Sequence, residues 1–197
     1  MIKKILALLT FCLVLNCFNA LSKQEYPKKR YFVLEANEKE RPKFSNKLGG
    51  LKINKFKISP FYDSKLFVYR LTSANYDTDY YNEFMVFPAI NVTEIISKWI
   101  FDSGIAENQP FSAEEIPFQL TGSVNSLYGD FRDKKNSFAV LEIEIFLQSA
   151  KDKKIVLKKS YKLEKKLKDQ TPEELVKGWN SGLTEILLEL SSDLNKL

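Results

Sequence analysis

The sequence contains no histidine. That removes the usual general base near neutral pH and the commonest metal ligand. Its two cysteines, Cys12 and Cys17, both fall in an N-terminal apolar segment. The body of the chain therefore has no thiol, which excludes a Cys–His nucleophile, a thiolate zinc site and an internal disulfide. No glycine-rich phosphate loop is present. Leu48-Gly49-Gly50-Leu51 leads into an alternating, strand-type run and so offers no helix N–H groups to a phosphate. There is no G-x-S-x-G elbow, and without histidine no standard serine triad can form. The carboxylate pair Asp77 and Asp79, around Thr78, has no third ligand at cation-loop spacing and reads as a solvated turn. These absences point away from an enzyme, and neither a cofactor nor a metal is expected.

What is present describes a globular chain. Apolar residues make up 44% and charged residues 28%, too apolar for a disordered segment. Fifteen Phe and nine Tyr against two Trp favour strands, where aromatic rings pack well. Removing residues 1–16 takes away Lys3 and Lys4 and no acid, which lowers the net charge from +5 to +3. A charge that mild does not imply nucleic acid.

Residues 1–16 pair a basic start (Lys3, Lys4) with an apolar run over 5–15 that is broken only by Thr10. The run is shorter than the ~20 residues a membrane span needs, and its flanks fit a secretory signal. Val14-Leu15-Asn16-Cys17 resembles a bacterial lipobox of the looser kind found in spirochaetes, in which Cys17 becomes the acylated first residue. An ordinary signal cleaved after Ala20 is the alternative. Residues 17–30 are polar and unpatterned and read as a tether, with Lys28-Lys29-Arg30 a charge run that could touch anionic headgroups. Residues 31–197 then form a single domain.

Within that domain, residues 65–105 form the organising unit. Residues 66–71 are apolar on both alternating sets, as in a strand covered on both faces. Residues 75–82 read as a polar, turn-rich loop carrying Tyr76, Tyr80 and Tyr81. Aromatic residues of this kind serve as interface anchors, so these three are the candidate contacts for a protein partner, another copy of the chain or a lipid. Pro88 opens a helix whose stripe is Val92, Ile95, Ile96, Trp99 and Ile100, and Gly104 with Ile105 closes it. Residues 31–35 and 51–59 read as strands, the second with a phase shift that predicts a bulge near Asn54-Lys55. Residues 107–117 form a loop. Residues 118–131 form a strand bulged near Asn125-Ser126, and residues 138–147 and 155–163 continue it as an antiparallel meander with a wet outer face. Thr171-Pro172-Glu173-Glu174 is a capping box opening a last helix to residue 197, striped by Leu175, Trp179, Leu183, Ile186, Leu187, Leu190 and Leu194. Gly178 and Gly182 on that helix suit either close packing on the sheet or a notch for a partner helix. The expected fold is α+β: a largely antiparallel sheet with two main helices packed on one face.

Several stretches together carry a resemblance: YFVLE from Tyr31, LGGLKINKFKISPFYDSKLFVYR from Leu48, YYNEFMVFPA into the first helix, the Ser-Gly pair at its end, and LTGSVNSLYGDFRDKKNSFAVLEIEIFL from Leu120. In order and spacing they resemble the ABC-type transport auxiliary lipoprotein family, periplasmic partners of lipid-handling ABC transporters of the MCE class. One departure is Phe87, where the family carries a Trp before the helix-opening proline. The resemblance implies a non-catalytic lipoprotein component of an envelope lipid transport system. Its partners would be MCE-type transporter components and, in some assemblies, further copies of itself, with a membrane contact through the lipid anchor and no nucleic acid. Phe18 rather than Asp follows Cys17, which by enterobacterial sorting places the protein at the outer membrane facing the periplasm. A surface-displayed lipoprotein binding an external ligand is the other reading, favoured by the loose lipobox.

Cys17 is expected to carry fatty acid, palmitate included. Metabolic labelling with a fatty-acid probe should mark the wild type and not Cys17→Ala. Equal labelling of the two would rule acylation of Cys17 out.

Overall fold

The computed structural model describes residues 27–45, 48–107 and 116–197. Cys12, Cys17, the lipobox and most of the 17–30 tether lie outside the described residues, as does the centre of the 107–117 loop. The fold is α+β, with one open eight-stranded sheet and two helices on one of its faces. The strands are β1 (Arg30–Phe32), β2 (Leu51–Ile53), β3 (Lys57–Ile58), β4 (Leu66–Arg70), β5 (Tyr76–Phe84), β6 (Phe118–Asp130), β7 (Phe138–Ser149) and β8 (Ile155–Lys166). The helices are α1 (Pro88–Ser103) and α2 (Pro172–Leu194).

β6 is the spine. One of its edges pairs antiparallel with β7 along the full strand, and β8 continues that meander. Its other edge is shared end to end by β2, β3 and β4, all parallel to it. β5 pairs antiparallel with β4, and β1 lies parallel at the outer edge of β5. The parallel pairs need crossover connections, and the one from β4 to β6 contains β5 and α1. Both predicted phase shifts are real. In β6 the register slips between Val124 and Ser126. Between β2 and β3, Ile53 faces Leu120 and Lys57 faces Ser123, so one extra residue is absorbed at 54–56.

The expected strand over 31–35 is shorter than its apolar pattern suggests. It ends at Phe32 because the next backbone groups are satisfied by helix side chains instead of a ladder. Leu34 N–H donates to Asn91 Oδ1 (3.0 Å), Glu35 N–H to Asn180 Oδ1 (3.0 Å) and Asn37 N–H to Thr184 Oγ1 (3.0 Å). Ile155, apolar at the start of β8, is exposed. The last turn of α2 meets β8 at Lys159 and Tyr161, both bonded to Asp193, four and six residues beyond Ile155.

The helices close the core as their stripes require. Val92, Ile96, Trp99 and Ile100 of α1 and Leu175, Trp179, Leu183, Ile186, Leu187, Leu190 and Leu194 of α2 are buried. They face Leu120, Val124, Leu127, Leu141, Ile143, Ile145 and Leu147 of the meander. Gly104 takes the left-handed conformation (φ 77°) that ends α1, with Gly104 N–H on Phe101 O and Ile105 N–H on Ile100 O. A Cβ on Gly104 would also lie 2.5 Å from Phe44 O. On α2, a Cβ on Gly178 would lie 2.6 Å from Ala139 Cβ, so this glycine serves close packing on β7 rather than a notch for another helix. The cap of α2 is half of a capping box. Thr171 Oγ1 accepts from Glu174 N–H, but Thr171 N–H goes to Asp169 Oδ1 (2.9 Å) rather than back to Glu174.

Trp99 is 2% exposed and joins the helices, its Nε1–H donating to Ser191 Oγ at 2.9 Å. Trp99→Ala should destabilise the fold by about 3–5 kcal/mol in a chemical melt, the range for deleting a large buried aromatic. An unchanged midpoint would contradict that burial.

Candidate functional site

The tyrosines expected on a loop over 75–82 belong to a strand. β5 starts at Tyr76, and the turn is confined to 71–75, where Leu71 N–H bonds Asn75 O (2.9 Å). The polar composition of this stretch reflects an edge position, with one row of backbone groups facing solvent.

β5 is not regular. Leu66 pairs with Glu83 but Phe67 with Asp79, so three residues of β5, Tyr80 to Asn82, are looped out of the ladder. Asp79 holds that bulge. Its Oδ1 accepts the backbone N–H groups of Tyr81 (2.8 Å) and Asn82 (3.0 Å). Its Oδ2 accepts the Tyr69 hydroxyl (2.7 Å) and Asn82 Nδ2 (2.6 Å). Partial burial pushes the Asp79 carboxyl upward. The donors from Tyr69, Asn82 and the two backbone groups outweigh this and keep it below the ordinary carboxylate range. Burial, then the bond to Asp79, raises the Tyr69 phenol, which stays a donor at any physiological pH. Asp79 is therefore neither half of a cation pair with Asp77 nor part of a solvated turn. Its lone pairs are taken by four donors, and Asp77 Oδ1 accepts Thr78 N–H (2.8 Å).

The bulge projects two of the three candidate residues together. Tyr80 is 64% and Tyr81 42% exposed, with their rings edge-to-face at 5.3 Å. Lys29, arriving just before β1, places its ammonium 4.4 Å from the centre of the Tyr80 ring. Tyr76 is not part of this pair. It sits at the hairpin end of β5, its ring 6.0 Å from that of Tyr128 and with Arg70 stacked over it at 5.5 Å.

Four further exposed apolar residues continue the bulge: Tyr31 and Val33 on and just after β1, and Met85 and Phe87 just after β5. Tyr31 lies beside Glu83, and Met85 N–H bonds Phe32 O (2.8 Å), so the two segments run side by side. Lys65 Nζ donates to Met85 O (2.8 Å) and lies 5.4 Å from the centre of the Phe87 ring. Tyr31, Val33 and Met85 carry no site signal in the sequence, whereas Phe87 belongs to the aromatic cluster around residues 76–87. Each is an ordinary strand or helix-entry residue by pattern, and only the parallel pairing of β1 with β5 makes them neighbours. Phe87 also walls a groove of about 610 Å3 with Ile58, Ala89 and Ile90, rimmed by Lys55 and Lys57. No helix among the described residues is long and apolar enough to cross a membrane.

Comparison with solved structures gives the same architecture at low identity. A Xanthomonas campestris protein assigned to the DUF330 family overlays with TM-score 0.65 at 16% identity, covering 83% of this chain and 90% of that one. An uncharacterized protein overlays with TM-score 0.65 at 15% identity, covering 85% of this chain and 99% of that one. A Caulobacter crescentus protein described as a candidate lipoprotein matches 52% of this chain and 80% of its own at 14% identity, with a TM-score of 0.38 on which nothing is built. At these identities the likeness shows a shared fold. No family model matches the chain, and no curated protein is similar to it.

Asp79→Asn should loosen the bulge, because an amide cannot accept from all four donors. A loss of about 1–3 kcal/mol is expected from the unpaired groups left behind. Since the folded carboxyl titrates below its unfolded value of about 3.9, its contribution is complete above that pH and is lost as pH falls through the folded value. The stability difference between wild type and Asp79→Asn, followed by chemical melts, should therefore shrink on acidification below about pH 4. A difference independent of pH would remove Asp79 from this role.

Proposed function

We propose that the chain is a non-catalytic, lipid-anchored component of an ABC-type lipid transport system of the MCE class in the bacterial envelope. The observation that carries this reading is the resemblance to the transport auxiliary lipoproteins in the order and spacing of its sequence stretches, with a lipobox-like segment and a short tether ahead of one α+β domain. The α+β fold expected from the residue pattern is the one observed, and it is shared with the Xanthomonas protein over nearly the whole of that chain. The lack of histidine, and of any cysteine beyond Cys12 and Cys17 in the N-terminal segment, supports a binding role over a chemical one. In this reading the domain stands at the outer membrane, facing the periplasm, and positions transporter components.

Co-purification from detergent-solubilised envelopes tests it. The wild-type chain should bring down a permease, an ATPase or an MCE protein. If none is recovered, and proteolysis of intact cells removes the domain, the surface-displayed lipoprotein reading replaces this one.

A further inference from the structure

Twelve large apolar residues are exposed among the described residues, and half of them, Tyr31, Val33, Tyr80, Tyr81, Met85 and Phe87, share the β1–β5 edge. Scattered exposed apolar residues need no explanation, but a contiguous set marks a contact surface. The identity of the contact follows from where the chain enters the fold. Residues 1–26 lie outside the described part, and the chain comes in at Lys28-Lys29-Arg30, directly before Tyr31. From Cys17 to Arg30 there are thirteen Cα–Cα steps, which reach at most about 45 Å even when fully extended. An acyl group on Cys17 therefore keeps this edge within one domain's length of the bilayer.

The chemistry of the edge suits a bilayer surface. Tyrosines with a free phenol tip, beside Met and Phe, match the boundary between headgroups and acyl chains. Two ammonium groups are already stacked on exposed rings, Lys29 on Tyr80 (4.4 Å) and Lys65 on Phe87 (5.4 Å). That geometry lets the ring enter the apolar boundary while the charge stays at headgroup level. Nearby acids take part of the positive charge: Glu83 pairs with Lys29 (3.4 Å) and Glu173 with Arg30 (2.5 Å). Lys28 and Lys65 have no carboxylate partner among the described residues and remain available to anionic headgroups.

We propose that the β1–β5 edge, led by the Tyr80–Tyr81 bulge, docks on the anionic bilayer that holds the chain's own lipid anchor. The proposal rests on the lipid-anchored reading of Cys17. It means that the domain lies against the membrane rather than standing off from it, so the wet face of the meander and the exposed flank of α2 are left for protein partners.

The test uses the full chain, produced in a bacterium that processes lipoproteins and reconstituted with vesicles of phosphatidylglycerol and phosphatidylethanolamine containing brominated acyl chains. Trp99 and Trp179 are buried (2% and 0% exposed) and give a constant background. The indole introduced by Tyr80→Trp should lose emission to the bromines beyond that background. The loss should shrink in the double variant Lys28→Glu/Lys29→Glu, and in vesicles without phosphatidylglycerol. Protein that floats with the vesicles but shows no extra quenching keeps its anchor and overturns the docking. Protein that does not float overturns the anchored reading and the docking with it. An unquenched, blue-shifted indole in a particle of doubled mass would assign the edge to a second copy of the chain and overturn the docking too.

Discussion

Burying two tryptophans obliges each indole N–H to find an acceptor inside the fold, and the answers to that demand fix the two helices. Trp99 Nε1–H bonds Ser191 Oγ, whose own hydrogen goes to Leu187 O (2.7 Å), so α1 is registered against α2. Trp179 Nε1–H bonds Val140 O (3.2 Å), so α2 is registered against β7. The Trp179 ring then forms one wall of an aromatic cluster with Phe67 (5.1 Å) and Phe84 (5.4 Å), and Phe32 packs on Phe67 (5.2 Å). β1, β4 and β5 thus hang on the same indole as the meander. The distant edge of the sheet is held by these ring contacts as well as by the ladder that reaches it from β7 through β6 and β4.

That arrangement explains how an irregular strand can survive at the edge. A three-residue bulge in β5 forfeits ladder hydrogen bonds and would fray without replacement partners. Asp79 supplies them, taking two backbone N–H groups on one oxygen and two side-chain donors on the other. The cost of partly burying a carboxylate is real, and its direction is seen in the upward push on the group. Four donors reverse it. On either side of the bulge, Phe67 and Phe84 are locked in the core, so the extra chain length has only one direction to go. Tyr80 and Tyr81 are exposed because their neighbours are not.

Much of the fold could be read from residue order. The α1 stripe, its Gly104 stop, the α2 stripe, the meander and both register slips follow from periodicities that each element expresses within its own segment. What was not legible depends on pairing across distant segments. The parallel β1–β5 contact leaves no local trace, because a three-residue edge strand looks like any short apolar run. β5 looked like a loop because edge strands are polar on their open side and because Asp79 serves the strand's irregularity rather than its regular alternation. Residues 33–35 read as strand, but the N–H groups of Leu34, Glu35 and Asn37 go to Asn91, Asn180 and Thr184, three side chains on two helices. Of the candidate residues, Tyr80 and Tyr81 are brought together by the bulge, whereas Tyr76 is drawn to Tyr128 across the sheet. Nothing in the spacing of the three tyrosines separates those fates. Cys17 is legible only as a motif and lies outside the described fold.

The two free edges of the sheet are guarded in different ways, and the difference bears on what each can accept. β8 is long, its register on β7 slipping only near Val156, and Lys158, Lys159, Lys162, Lys165 and Lys166 lie along it, the usual deterrent to strand addition. The β1–β5 edge has no such row of lysines, and Lys29 and Arg30 at its start are paired with Glu83 and Glu173. Its protection is geometric: β1 is three residues long, and the bulge has already committed the N–H groups of Tyr81 and Asn82 to Asp79. A strand from another molecule would find no regular ladder there, because the backbone groups it needs are out of register or in use. What remains on offer is apolar and aromatic surface with ammonium groups beside it. Such a surface rewards a partner that needs no directional backbone pairing, and a fluid lipid interface meets that condition where an added strand does not. The same carboxylate that lets β5 depart from the ladder thus leaves the edge offering side-chain surface instead of strand pairing.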